Sequence, residues 1–311
     1  MIINPTVLTY LGVVAVFVAL ATFVTIRVRF WIAQGEQLAN EPGHRTPHVT
    51  FIARLTRLFV ATGVKRWFVG PVRVRNKKFL GFKGRLIIVL NHQTERDAIV
   101  VPAILRFLPF RALMAVTQIV GLRKPLAAWL GVIAVHHDKN PAAALRTSID
   151  ILQAEDHTSF VVFPQGALHR DNELKRGDFF DGTIMIAKKV QEKSTAPLAI
   201  LCGGIAYDRN PAHRTLCQKF WGVFANKLAR SNEKALKKLK EGEKPSRLRR
   251  RLILLEGLLK RDFFGDIVYG AAVVWREPLL VSALPDNRKA AMDLVFENIK
   301  SASAEANQMI A

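Results

Sequence analysis

The sequence predicts an α/β fold with a mostly parallel central sheet and helices on both faces, preceded by an amino-terminal transmembrane helix and an amphipathic helix. Three observations lead there. From Val72 onward, short β-branched runs alternate with helical segments. Val7 to Ile26 is a stretch of twenty residues without a charge, about 30 Å as a helix and so matched to the hydrocarbon of a bilayer. Phe51, Leu55, Leu58, Phe59 and Thr62 fall on one helical face, with Arg54, Arg57, Lys65 and Arg66 elsewhere around it.

Taken in order, residues 1–30 read as a membrane anchor. No Lys or Arg precedes the apolar run, and no small-x-small cleavage site follows it, which argues against a removable signal. Arg27 and Arg29 follow the span directly, so the positive-inside rule places the remaining chain on the cytoplasmic face. A buried core helix is the alternative. Residues 31–71 form a linker containing Asn40-Glu-Pro-Gly-His44 and Thr46-Pro47, followed by the amphipathic helix, which rests on a membrane surface or on the domain core.

Residues 72–311 read as the α/β domain. Strands are expected near Val72–Val74, Leu86–Leu90, Ala112–Val116, Val132–Val135, Phe160–Phe163, Leu198–Leu201 and Ile267–Val274. Helices are expected near Ala98–Phe107, Lys124–Leu130, Pro141–Ala154 and Gly182–Gln191. Within this domain, Asn226 to Arg261 carries thirteen Lys or Arg against four Glu, broken by leucines. That segment reads as a helical arm on anionic headgroups, or as an ordinary solvated helix pair.

The net charge of +21 calls for an anionic partner. The apolar amino terminus favours lipid, and the scarcity of aromatic residues in the basic run argues against nucleic acid. Two cysteines, Cys202 and Cys217, stand outside any Cys-x-x-Cys spacing, so no disulfide framework or zinc site is indicated. Neither a Gly-x-Ser-x-Gly elbow nor a phosphate loop nor a dinucleotide fingerprint is present, and no cofactor is expected.

The chemistry centres on Leu86-Ile-Ile-Val-Leu-Asn-His-Gln-Thr-Glu-Arg-Asp97. Residues five apart on a continuous helix point about 140° away from each other, so His92 and Asp97 meet only if the chain turns between them. A strand ending before His92 and a helix starting near Asp97 supply that turn, at the strand end where α/β sites form. A carboxylate on one imidazole nitrogen would leave the other free as a general base.

A second motif, Phe160-Val-Val-Phe-Pro-Gln-Gly166, is a strand broken by Pro and Gly. With Asn91-His92-x4-Asp97 it resembles the glycerolipid acyltransferases, of which the lysophosphatidate acyltransferases are best known, over roughly Val72 to Tyr207. Asn91 to Asp97 is similar to Asn-His-x-Ser-x-x-Asp, with Thr94 in the serine place. Gly131-Val-Ile-Ala-Val-His-His137 resembles Gly-x-x-Phe-x-x-Arg, with His137 where the arginine falls. Phe163-Pro164-Gln165-Gly166 resembles Phe-Pro-Glu-Gly, with Leu168 where an arginine usually follows, and Ala196-Pro197-Leu198 resembles the proline block.

The resemblance implies a membrane-bound enzyme that transfers a fatty acyl chain from acyl-CoA or acyl carrier protein to the hydroxyl of a lysolipid acceptor. His92 and Asp97 would be the catalytic pair. It further implies that Gly166 and its neighbours offer N–H groups to the oxyanion, that Gln165 holds the acceptor, and that Thr94, His137 and Arg170 contribute to substrate binding. The arginines that hold a headgroup phosphate in the family are absent from their places, which points to an acceptor other than lysophosphatidate; Arg170, Lys175 or Arg176 reaching back is the competing expectation. The alternatives are a lysophosphatidate-specific enzyme making phosphatidate and a non-catalytic membrane protein keeping the fold.

Overall fold

A computed structural model describes residues 22, 25–47, 50–121, 123–136, 140–155, 157–171, 173–194, 196–237, 245–258 and 268–311. The stretch Val7 to Ile26 lies almost wholly outside the described residues. Among the described residues, no helix is long and apolar enough to cross a membrane. The chain divides into two compact units, Met1–Ala53 with Arg111–Ile151, and Arg54–Phe110 with Leu152–Ala311.

In the first unit, helix α1 covers residues 25–40, and α5 covers Arg123–Trp129. Trp31 and Leu38 are buried with Ile119, Ala127, Ala128 and Val132 in a small core. Strands β3 (Phe110–Ala115) and β4 (Ile133–Val135) pair in parallel, Leu113 opposite Ile133. Arg111 is buried, and its guanidinium is taken up by the carbonyls of Thr46 and Gly131 at 3.1 and 3.4 Å. Helix α6 occupies Pro141–Ala154, as its periodicity indicates.

The second unit is built on a sheet of order β1-β7-β6-β2-β5. Its strands are β1 (Val72–Arg75), β2 (Arg85–Leu90), β5 (Ser159–Val162), β6 (Leu198–Asp208) and β7 (Gly270–Trp275). β2 is parallel to both β5 and β6, and β1 is parallel to β7, whereas β6 and β7 are antiparallel. A short β8 (Leu279–Leu280) pairs with β6 at Ala199 and Ile200. β2 is buried along its whole length. That is why it reads as an unbroken apolar run and not as an alternating one.

Helices α3 (Lys65–Phe68), α4 (Asp97–Ile104), α7 (Gly182–Glu192), α8 (Leu216–Leu236), α9 (Arg247–Leu258) and α10 (Arg288–Gln308) complete this unit. α4 ends earlier than the apolar pattern indicates, because residues 105–107 turn. β6 runs seven residues beyond its expected end at Leu201, carried through Gly203 and Gly204 by pairing with β7. α10 was not expected. Its buried face runs from Met292, Val295, Phe296 and Ile299 to the small Ala302, Ser303 and Ala306, a helical stripe that the sequence does carry. Small residues permit close approach: a Cβ on Gly204 would lie 2.1 Å from Ser303 N and 2.3 Å from Ala302 C.

Helix α2 (Thr50–Phe59) settles one of the two readings of the amphipathic segment. Phe51, Leu55, Leu58 and Phe59 are 70, 51, 43 and 62% exposed, so the apolar face points outward and does not rest on a core. Arg57 points inward instead, donating to the Leu108 carbonyl and lying 4.8 Å from the Phe110 ring centre. Burial, and secondarily the nearby Arg54, lower its pKa to about 10.

Gly204→Ala is expected to destabilise the protein by about 1–3 kcal/mol through forced separation of β6 and α10. Urea unfolding reads this directly, and an unchanged midpoint would contradict the packing described.

Candidate active site

The site begins where β2 ends. β2 and β6 pair from Arg85 opposite Leu198 to Leu90 opposite Gly203. Asn91 then extends the contact with its side chain: Oδ1 accepts from Ile205 N at 2.7 Å and Nδ2 donates to Ile205 O at 3.0 Å. An amide side chain thus acts as an extra rung of the ladder, and the chain leaves the sheet at a fixed point. His92 is the next residue.

Both backbone groups of His92 are held by the loop after β5. Its N–H donates to Gln165 Oε1 at 2.7 Å, and its carbonyl accepts from His169 N at 2.8 Å. The Phe163 ring stacks on the imidazole with centres 4.3 Å apart and planes 22° from parallel. Four residues of turn then bring Asp97, the first residue of α4, back to the imidazole, with Asp97 Oδ2 at 2.6 Å from His92 Nδ1.

Asp97 is fully buried. Its Oδ2 also accepts from the N–H groups of Gln93 and Thr94 at 3.0 and 3.2 Å. Its Oδ1 accepts from the Tyr207 hydroxyl at 2.5 Å. These donors leave the carboxylate no reason to turn away from the imidazole, and an acceptor at Nδ1 places the ring proton there. Nε2 then carries a lone pair. The His92 side chain is 25% exposed.

Comparison with known proteins bears on this constellation. Residues 71–201, which contain both motifs, match the family model described as Acyltransferase. No curated protein sequence matches the chain. Among solved structures, the 1-acyl-sn-glycerophosphate (LPA) acyltransferase PlsC from Thermotoga maritima is similar at 14% identity, with 84% of this chain and 80% of that one covered and a TM-score of 0.49.

Around this constellation, the other expected binding residues fare differently. Gln165 is 97% buried by its 3% exposure. Its Oε1 is fixed on His92 N, and its Nε2, itself buried, has no acceptor among the described residues. Gly166 adopts the left-handed conformation, φ +64°, that favours glycine. The N–H of Gly166 is already given to Phe163 O at 3.2 Å, so the expected oxyanion donor is spent on its own turn.

Thr94 needs a correction. It is fully buried, and its hydroxyl oxygen accepts from Arg96 N at 3.2 Å while its carbonyl accepts from Asp97 N at 3.0 Å. Thr94 therefore shapes the turn that returns Asp97, and it presents no surface to a substrate. His137 lies outside the described residues. Arg170 is exposed, and its carbonyl accepts from Arg209 at 3.5 Å.

Of the three cations expected to stand in for the missing arginines, two are engaged. Arg176 pairs with Asp293 at 2.5 Å and Asp181 at 3.0 Å, and Lys175 lies 3.2 Å from Glu173. Tyr207 was missed by sequence reasoning. It stands 110 residues from Asp97 beyond a Gly-Gly pair that reads as a strand break, and the alternation of Ile205 and Tyr207 was its faint signal.

His92→Ala is expected to lower kcat/KM for acyl transfer by at least about 10²-fold while the far-ultraviolet spectrum stays unchanged. Retention of more than about a tenth of the wild-type rate would remove the general-base role. Tyr207→Phe strips one donor from a buried carboxylate and is expected to lower stability by about 1–3 kcal/mol. A neutral effect in thermal unfolding would mean that the hydroxyl contact is dispensable.

Proposed function

We propose that the chain transfers a fatty acyl group from a thioester, acyl-CoA or acyl carrier protein, to the hydroxyl of a lysolipid-type acceptor. The observation that carries this reading is His92, with Nδ1 held by a fully buried Asp97 and a side chain that is partly exposed. Nε2 takes the proton of the acceptor hydroxyl as that oxygen attacks the thioester carbonyl. The C–O bond forms, the C–S bond breaks, and the imidazolium returns its proton to the leaving thiolate. Asp97 stabilises the imidazolium while it lasts. Neither a covalent enzyme intermediate nor a metal enters this sequence.

Gln165 is the residue best suited to meet a substrate oxygen beside His92. A buried amide donor without a partner costs about 1–3 kcal/mol, and a substrate oxygen at Nε2 removes that cost in the bound state. The developing oxyanion gains most from such a donor. In the resembled family a glutamate stands here, and an ionised carboxylate would present acceptors only.

The acceptor in this reading is a lysolipid or lipid alcohol other than lysophosphatidate. Leu168 stands in one of the two arginine places and binds no phosphate, Arg176 is held by Asp181 and Asp293, and Lys175 lies beside Glu173 at the surface. The second reading is a lysophosphatidate enzyme with Arg170 as the phosphate cation, favoured by the exposure of that side chain and by the absence of a side-chain partner for it among the described residues. Membrane association is part of the proposal. It rests on the uncharged stretch Val7 to Ile26 in the sequence, on the outward apolar face of α2 and on the basic arm 226–261.

Two measurements test this. Purified protein given one acyl donor and a panel of lysolipids is expected to turn over lysophosphatidate slowly; fast turnover that falls sharply in Arg170→Ala would establish the second reading. Gln165→Glu keeps the acceptor for His92 N and deletes the free donor, so kcat/KM is expected to fall at least about tenfold. An unaffected rate would show that Nε2 meets no substrate atom.

A further inference from the structure

Helix α8 lies outside the stretch that matches the family model, which ends at residue 201. It starts eight residues after β6 ends at Asp208. Because β6 runs parallel to β2, that end lies at the same edge of the sheet as His92. Tyr207, one residue earlier, reaches Asp97. The start of α8 is pinned by a capping box between Thr215 and Gln218, and Gln218 Nε2 donates to Val268 O at 2.8 Å.

Among the described side chains of α8, Gln218 and Asn232 are buried, hydrogen-bonded to Val268 O and Leu252 O. Leu216, Phe220, Val223 and Phe224 face out at 82, 67, 56 and 39% exposure. Their spacing puts them on one stripe. Contiguous apolar surface of this kind marks an interaction site. Further along the helix the same stripe carries Lys227 and Lys234, both exposed.

Beside Leu216 opens a cavity of 390 Å³ lined also by Lys65, Arg66, Gly70 and Thr215, with no carboxylate among the described residues that line it. Burial and the neighbouring Arg106 hold the Lys65 ammonium below its usual pKa, as expected of a cation with too few counter-charges nearby.

The occupant follows from combining the stripe with the cations. A second copy of the chain docking through this face would bring like charges together; Phe220 and Phe224 offer bases a stacking surface, but nucleic acid would leave the equally exposed aliphatic Leu216 and Val223 in water. An anionic bilayer presents hydrocarbon and phosphate within one interface. We propose that the exposed face of α8, from Leu216 to Lys234, docks on an anionic phospholipid bilayer. The four apolar side chains enter the interface, Lys227 and Lys234 sit at the headgroups, and Lys65 and Arg66 receive a lipid phosphate at the cavity.

Docking this way sets the sheet edge bearing His92 against the source of a lipid acceptor. Its purpose rests on the proposed acyl transfer, but its test reads depth and not turnover, so either can fail alone. The full chain with Cys217→Ser and Phe220→Cys carries an environment-sensitive fluorophore at position 220; Cys202 is buried and stays unlabelled. It is mixed with phosphatidylcholine vesicles with or without phosphatidylglycerol, some bearing brominated acyl chains.

The expected result is co-sedimentation with the phosphatidylglycerol vesicles, a blue shift, and quenching by bromine. The same label at Glu297→Cys, on exposed α10 surface, stays unquenched. The proposal is overturned if the protein co-sediments while the label at 220 remains in water. It is equally overturned if shift and quenching are the same without phosphatidylglycerol, or if the protein leaves those vesicles in solution.

Discussion

A carboxylate with no exposure to solvent must be hydrogen-bonded at every turn, because burying it unpaired costs far more than a protein's net stability. Asp97 meets that demand with donors from separate parts of the chain. His92, Gln93 and Thr94 come from the turn after β2, and Tyr207 comes from the far end of β6. Satisfying one side chain therefore fixes the loop, the start of α4 and the length of β6 together.

The sheet supports the same arrangement from beneath. Asn91 joins the end of β2 to Ile205, and Gln93 donates to the same carbonyl at 2.5 Å. Gly204 lets α10 lie close against β6 just beside these contacts. Phe163 covers one face of the imidazole, while Gln165 and His169 hold its backbone. Each of these residues acts on the position of Nε2, and none of them replaces it. A base set on rigid strand ends in this way needs little reorganisation when a substrate arrives.

Much of this site was legible in the sequence because its parts are local. An unbroken aliphatic run ending at Asn91 marks a buried strand, and a five-residue offset between His92 and Asp97 calls for a turn. The partners that complete the site are distant. Tyr207 sits beyond two glycines that resemble a break, and their role in the sheet emerges only from the pairing with β7. Arg57 points inward on α2 because the Leu108 carbonyl awaits it, a fact no periodicity carries. α8 starts at the Thr215-x-x-Gln218 capping box, whereas the charge run set the expected start of a helical arm at 226. Thr94 matched a family position whose work here is to shape a turn.

The central claim is that Asp97 holds His92 as the Nδ1–H tautomer, leaving Nε2 free to accept a proton. Nitrogen NMR of imidazole-labelled protein, with His92 assigned through His92→Gln, tests it most directly. Under conditions where the ring is neutral, the account calls for a protonated Nδ1 with a strongly deshielded proton, an unprotonated Nε2, and loss of this pattern in Asp97→Asn. A proton on Nε2 in the wild-type protein, or a spectrum that Asp97→Asn leaves unchanged, would contradict it.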